Sequence, residues 1–452
     1  PVLASSHANG FDAGGWPPRH RMRSQVMYGG SSRREDLKKM EDGAPFVLCA
    51  TPGRLIDHME NSRVRGTPFK DLIADVSVVV LDEADRCLDM GFRKDMEYIL
   101  GVNGRRRSQT LLFSATLPKD LRSIMASHMD RDYLTVDCVH DIDPATHTNA
   151  SVDQAFVTLP PRGDRWIAGL VDLIQDIHAT HPADHKVIVF FPTTNMCAFF
   201  SRIFNKIYRI PALEIHSKKN QTSRTQTSDR FRKRRTGLLF TTDVSARGVD
   251  YPDVTHVIQY GSAECRETYI HRLGRTGRAG KKGQGLVIMG SPEEQRQFVG
   301  DALQGLDVTR DARAQRVLEG AERGDDGDNR AEERRQGNEE RLARVRSEVA
   351  TPGSDLQQAA SHAYKSLLGY HATKTQNLGM TKQQMVNYVN DLGRQMGFAE
   401  GKYPALNPKV VQTLKLRGIP GVNVAGGYGD DRGGRGGYGD DRGGRGGYGD
   451  DR

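Results

Sequence analysis

Cysteine is scarce. The 452-residue chain has five, at 49, 87, 138, 197 and 265, with no Cys-x-x-Cys spacing. That excludes a disulfide framework and a zinc ribbon, and it fits a reducing compartment. Long apolar runs are missing too. No window approaches the roughly 18 uninterrupted apolar residues of a membrane-spanning helix, so no membrane association is expected. The chain begins at Pro1 and has no initiating methionine, which reads as a fragment or a processed form.

What the chain does have is positive charge, 65 Lys+Arg against 57 Asp+Glu, for a formal net of +8. Such a balance favours polyanions, and nucleic acid is the commonest of these. The charge is unevenly spread. Residues 301–355 net −4, residues 356–425 net +6, and the tail 426–452 nets −1, which leaves +7 for residues 1–300. At roughly 150 residues per domain the length suggests about three domains.

From about residue 45 to 290, short apolar runs alternate with amphipathic stretches. Pro45–Ala50, Val76–Leu81, Thr110–Phe113, Lys186–Phe191, Leu238–Phe240, Val254–Tyr260 and Gly285–Met289 read as buried strands of parallel sheets. Helix starts follow some of them, at Thr51-Pro52 and at Thr194 ahead of Asn195–Ile207. The alternation predicts open, doubly wound α/β sheets, whose ligands bind beyond the carboxyl ends of the strands. Gly320–Gly337 has no apolar period and reads as a flexible linker. Helical signals return over 356–418, with a capping box at Thr381–Gln384, a start at Asn407-Pro408 and a stop at Gly418. The tail repeats GGYGDDRGGR with period ten, placing Tyr428, Tyr438 and Tyr448 in register, and reads as disordered.

Four segments at strand ends could carry chemistry. Val78-Val-Val-Leu-Asp-Glu-Ala-Asp85 places adjacent carboxylates after a strand, where one can hold a magnesium ion and the next can polarise a water. On the octet alone, a helix start with acidic first-turn residues remains an equal alternative. Phe113-Ser-Ala-Thr116 offers small hydroxyls that either relay a hydrogen bond or cap a helix. In His271-Arg-Leu-Gly-Arg-Thr-Gly-Arg278, Arg275 and Arg278 would share a helical face and could clamp phosphoryl oxygens; a solvated basic turn is the alternative. In Thr241–Asp250, Gly248 permits close backbone approach and Asp250 could bind a ribose hydroxyl.

Taken together these pieces resemble the DEAD-box family of RNA helicases. Tyr28-Gly29-Gly30, Thr51-Pro-Gly-Arg-Leu55, Asp82-Glu-Ala-Asp85, Ser114-Ala-Thr116, Gln221-Thr-Ser-Arg224 with Phe231, Thr241–Asp250 and His271–Arg278 match its motifs in its order, over roughly residues 19–300. The resemblance implies two RecA-like parallel-sheet domains, 1–147 (incomplete) and 148–300. A charged linker 301–355, a helical basic extension 356–422 and a disordered RGG-type tail 423–452 would follow. It implies ATP with Mg²⁺, the ion held through water by Asp82, and Glu83 activating the attacking water. Asp85, Ser114, Thr116 and His271 would couple nucleotide state to RNA, with Arg275 and Arg278 as arginine fingers and Gly248 and Asp250 at the nucleotide. Gly29, Gly30, Thr51, Gly53 and Arg54 would track the RNA backbone on one domain, and Gln221, Arg224, Thr242 and Arg247 on the other. Binding to structured or duplex RNA would then be sequence-independent and salt-sensitive.

There are departures. The family's phosphate-binding loop has no counterpart, because Gly280-Lys281 and Gly401-Lys402 lack the preceding glycine and the following Ser or Thr. The adenine-reading segment and the Pro-Thr-Arg-Glu-Leu motif are likewise missing, and residues 1–15 match nothing in the family. The expectation is an N-terminally truncated chain; the alternative is an ATPase-inactive RNA clamp. Tyr251 replaces the family's usual Phe and keeps the ring. Ala363–Tyr370 and Leu416–Gly421 resemble the extension of fungal mitochondrial RNA chaperones that act in intron splicing. That resemblance implies a monomer in the mitochondrial matrix, with nucleus or cytoplasm as the alternative.

Overall fold

The apolar runs become parallel strands, each within two residues of its expected bounds. The computed structural model describes residues 23–426 apart from 90, 103–107, 115–116, 118, 137–150, 161–164, 246–248, 279, 321–328 and 376–378. In chain order the strands are β1 (Ser24–Met27), β2 (Val47–Ala50), β3 (Arg63–Val64), β4 (Thr67–Pro68), β5 (Val78–Leu81) and β6 (Gln109–Leu112). Then follow β7 (Val152–Thr158), β8 (Lys186–Phe190), β9 (Ala212–Ile215), β10 (Gly237–Thr241), β11 (His256–Tyr260), β12 (Gly283–Met289) and β13 (Thr309–Arg310).

Strands β7–β13 form one seven-stranded, all-parallel sheet in the order β13-β7-β12-β11-β8-β10-β9. Its inner strands β8 and β11 are buried at every residue, which is why they read as continuous apolar runs. Val187 and Val189 face the helices Arg165–Thr180 and Thr194–Arg202, while Ile188 and Phe190 pack with Phe231 and Tyr251 on the other face. The second helix is capped by Thr193, whose hydroxyl accepts from Met196 N–H, and not by Thr194 as expected. Strands β7 and β9 escaped the sequence reading because polar residues interrupt them: β7 alternates buried with exposed positions.

The first half is built differently. β1 pairs with β2 and β5 with β6, giving two separate two-stranded parallel sheets beside the short β3–β4 hairpin. Val78 and Val80 of β5 are 41% and 52% exposed, and Phe113 is 55% exposed. A continuous parallel sheet covered by helices would bury these side chains. The first half therefore takes the form of paired strands with open apolar faces.

Two expectations for the C-terminal part need correction. The stretch 301–355 contains β13, the helix Ala312–Glu319 and the helix Asn329–Ala350, so the linker expected over Gly320–Gly337 is helical from Asn329 onward. The charged sequence hid a stripe: Leu342, Val345 and Val349 recur at helical spacing and are buried. The extension is helical, as expected. Its helices Asp355–Ala372, Lys382–Met396 and Pro408–Thr413 place Ala360, Leu367, Met385 and Val389 in one core with the second sheet's helices. The capping box at Thr381 and Gln384 is present as expected, whereas the last helix ends at Thr413, ahead of Gly418. The repeat tail lies outside the described residues.

This packing predicts a pH effect. Burial, with His181 adding to it for His256 and Lys374 for His371, pushes both imidazoles down to about 4. A free histidine titrates near 6.5, so between these values the unfolded chain takes a proton that the folded chain refuses. Stability must then fall as pH falls through this window, by up to about 1.4 kcal/mol per pH unit for each histidine. The denaturant midpoint is expected to drop between pH 7 and 5, and His371→Leu should flatten that drop. A midpoint independent of pH would contradict this account.

Candidate nucleotide and RNA site

Strand β5 delivers Asp82 and Glu83 to its carboxyl end. Glu83 has φ +49°, a left-handed conformation that costs a non-glycine residue about 1 kcal/mol or more. Surrounding bonds hold it there. Ala84 N–H donates to Phe113 O at 3.1 Å, Cys87 N–H to Glu83 O at 3.2 Å, and Glu83 N–H to Asp82 Oδ1 at 3.0 Å. Asp85 is buried, and its backbone N–H donates to Ser114 Oγ at 3.3 Å, which links the segment after β5 to the segment after β6. Thr116 lies outside the described residues, as do Arg247 and Gly248.

The basic segment is not helical where its chemistry sits. The helix Arg266–Leu273 ends at Gly274, so Arg275 and Arg278 stand on the turn beyond it, which Gly277 at φ +67° completes. Arg275 donates from Nε to His271 O at 3.3 Å and from Nη1 to Val249 O. Burial, then the like charge of Arg278, pushes Arg275 down to about 10, against the pull of Glu83 and Asp250. The negative charge of Glu83 thus favours the ionised form of Arg275. Arg278 donates from Nε to Gly274 O at 2.8 Å and pairs with Asp250 at 2.6 Å. Both partners are half-exposed, so the pair is weak and exchangeable.

Sequence reasoning missed the pair that ties these segments together. Arg272, 2% exposed, donates to both Asp243 oxygens at 2.6 and 3.0 Å. Burial works against the Asp243 carboxylate, yet the Arg272 charge and hydrogen bonds hold its pKa below the ordinary value. Both residues lie inside segments already singled out, but nothing in one sequence marks them as partners. Behind them, Tyr370 of the extension donates to Ser262 O at 3.1 Å, and Lys374 donates to Tyr370 Oη at 2.9 Å.

The RNA-tracking candidates divide. Gly29 and Gly30 form an exposed turn, Gly30 at φ +89°, while Thr51 and Gly53 open the helix Pro52–Asn61. Gln221 and Arg224 lie in the first turn of Gln221–Lys233, and Thr242 directly follows β10. All of these follow carboxyl ends of strands, as expected of a doubly wound sheet. Arg54 is engaged internally. Its side chain is 9% exposed, pairs with Asp36 at 3.1 Å and donates to Ser31 O. His58 Nε2 lies 3.3 Å from the same carboxylate. Arg54 is therefore a strut that fixes the Gly29-Gly30 turn from below, and Asp36 and His58 carry no motif that could have revealed them.

The terminal phosphate of a nucleotide, with its ion, fits what is present. Asp82 is exposed at a strand end and could hold Mg²⁺ through water, and two guanidinium forks stand on the turn after the helix Arg266–Leu273. The ion would supply charge neutralisation on phosphoryl oxygens.

Comparison with known proteins agrees with this geometry. The DEAD/DEAH box helicase family matches residues 2–124, and the helicase conserved C-terminal domain matches residues 169–280. The first match reaches almost to the start of the chain, so residues 2–15, expected outside the resemblance, fall within it. DEAD-box ATP-dependent RNA helicase 25 of Oryza sativa is 36% identical over 405 residues, covering 88% of this chain and 60% of that protein. The chain thus spans less than two thirds of that relative. ATP-dependent RNA helicase MSS116, mitochondrial, of Phaeosphaeria nodorum is 31% identical over 407 residues, 89% of this chain and 68% of that protein. Among solved structures, DEAD-box helicase Mss116 bound to ssRNA and UDP-BeF superposes with a TM-score of 0.71 at 25% identity, over 89% of this chain and 75% of that one. With its motif residues gathered at the carboxyl ends of parallel strands, the chain belongs to the DEAD-box ATP-dependent RNA helicase family.

Proposed function

We propose that this protein is an RNA-stimulated ATP hydrolase that locally separates short RNA duplexes. The observation that carries the reading is that the motif residues gather at strand ends and turns, with Asp82 and Glu83 directly after β5 and Arg275 and Arg278 on the turn that follows the helix Arg266–Leu273. Glu83 would take a proton from the attacking water, and Arg275 and Arg278 would stabilise charge developing on the transferred group. Release of Arg278 from Asp250 would free the fork for phosphate and the carboxylate for a ribose hydroxyl. RNA would lie along Gly29, Gly30, Thr51 and Gly53 on one domain and Gln221, Arg224 and Thr242 on the other. Arg54 would act beneath that surface, by fixing its glycine turn. A mitochondrial location is supported by the Phaeosphaeria relative's name, and a role as an RNA chaperone in intron splicing rests on the resemblance of the extension alone.

A second reading, an RNA clamp without hydrolysis, is favoured by one observation: neither Gly-Lys pair has the spacing of a phosphate-binding loop. The test is ATP hydrolysis by this chain with single-stranded RNA, single-stranded DNA or no nucleic acid. Stimulation by RNA and not by DNA is the expected result, since a 2′-hydroxyl is what separates the two. RNA binding without turnover would favour the clamp, and equal stimulation by DNA would refute the RNA assignment.

A further inference from the structure

The strands β8, β9 and β10 run parallel, so their amino ends share the edge opposite the site described above. Five residues of β8, at about 3.3 Å each, separate the two edges by roughly 16 Å. At this far edge lies an open cleft of about 350 Å³, lined by His178, His185, Pro211, Arg234, Arg235 and Gly237, among others. None of these residues belongs to the segments assigned to nucleotide or RNA.

Its charge is uncompensated. Arg230, Arg232, Lys233, Arg234 and Arg235 place five cations in six positions at the end of Gln221–Lys233. Arg232 is used internally, pairing with Asp229 at 2.7 Å and donating to Asp250 O at 3.1 Å. Lys186 is buried beside it and donates to Arg232 O and Pro252 O at 3.2 and 2.8 Å. Arg234 and Arg235 are exposed, and neither meets a carboxylate in an ion pair among the described residues. The carboxylate that Arg235 influences, Asp253, is already paired with Lys281. Arg230 and Lys233, three positions apart on the helix, extend the cationic surface along one helical face, and Arg234 follows at the C-cap.

The cleft also offers flat rings. The His178 and His185 imidazoles lie 4.1 Å apart at 41°. His185 Nδ1 lies 2.8 Å from His181 O, which fixes its ring, and His178 Nε2 is buried without a hydrogen-bond partner. Guanidinium forks match phosphate, and planar rings accept stacked bases. An acidic peptide would use the forks and leave the rings without a partner.

We infer that this far-edge cleft is a second RNA-binding site, in which Arg234 and Arg235 contact the phosphate backbone of a strand that runs past the primary face. The inference rests on the RNA-binding reading of the protein. Only an RNA long enough to continue around the second domain reaches both edges, so a short single strand would fill the primary face alone.

The test compares the full chain with the double variant Arg234→Gln, Arg235→Gln, by fluorescence anisotropy over a potassium chloride series. The probes are a long structured RNA and a short oligouridylate. Each single-strand phosphate contact contributes about 0.7 to the slope of log K against log salt. For the long RNA the variant's slope should therefore shrink by about 1.4, with the oligouridylate slope and affinity unchanged, which also shows that the variant is folded. An unchanged slope for the long RNA overturns the site while leaving the primary RNA reading intact. An equal change for the short strand also overturns it, because the arginines would then act through the overall field. Polyglutamate bound by the parent and not by the variant, with RNA slopes unchanged, reassigns the cleft to an acidic protein segment. If the unaltered chain binds neither RNA, it is the RNA-binding reading that fails.

Discussion

Glu83→Gln is expected to lower RNA-stimulated ATP turnover by about 10²–10⁴-fold, the range for losing a positioned general base. RNA affinity should scarcely change. The amide has the shape of the carboxylate and preserves the backbone bonds from Ala84 and Cys87 that hold this residue at positive φ, but it cannot accept the proton of an attacking water. It also removes the negative charge that favours the ionised Arg275. Arg275 stays protonated at neutral pH in either case, since about 10 lies well above 7. The loss should therefore be in kcat, with binding of RNA to the exposed glycine turn and helix starts preserved. Turnover within about threefold of the parent would remove Glu83 from the base role, because a group contributing no more than that falls below the general-base range.

Arg272→Ala should be strongly destabilising. Removing one partner of a buried ion pair costs about 3–5 kcal/mol, and because the Asp243 side chain is 38% exposed the loss should lie at the low end of that range. Total domain stability is typically about 5–15 kcal/mol, so the loss is a large share. Arg272 is also the joint between Thr242–Asp243 and the Arg275–Arg278 turn, and its guanidinium carbon lies 5.6 Å from the centre of the Phe190 ring. Arg272→Lys keeps the charge and loses the fork, so it should recover only part of the stability. Denaturant midpoints for the three proteins check this. Stability of Arg272→Ala within about 0.5 kcal/mol of the parent, the range of an ordinary surface change, would show that the pair is no structural tie.

Much of the site was legible because its residues sit in short segments that follow strands, and the strands themselves are apolar runs buried on two faces. Asp82, Glu83, Ser114, Thr242 and Arg275 needed no partner from elsewhere to be noticed. The surroundings of Arg54 were not legible, for the opposite reason. Its burial depends on Asp36, a carboxylate 18 positions away with no motif around it. The arginine turn was assigned to a helix because spacing alone could not show that Gly274 ends it. The long charged helix Asn329–Ala350 was missed because its apolar stripe is narrow and its surface composition is that of a linker.

By itself, the sequence determined the family, the strand positions, the chemical residue types and the order in which they meet the strand ends, since all of these are local patterns of apolarity and spacing. The tertiary structure alone decided that Arg272 meets Asp243, that Arg54 is a buried strut, and that the C-terminal extension shares a core with the second sheet. Those outcomes depend on which distant residues compete for the same buried space, and a burial partner far along the chain leaves no local trace.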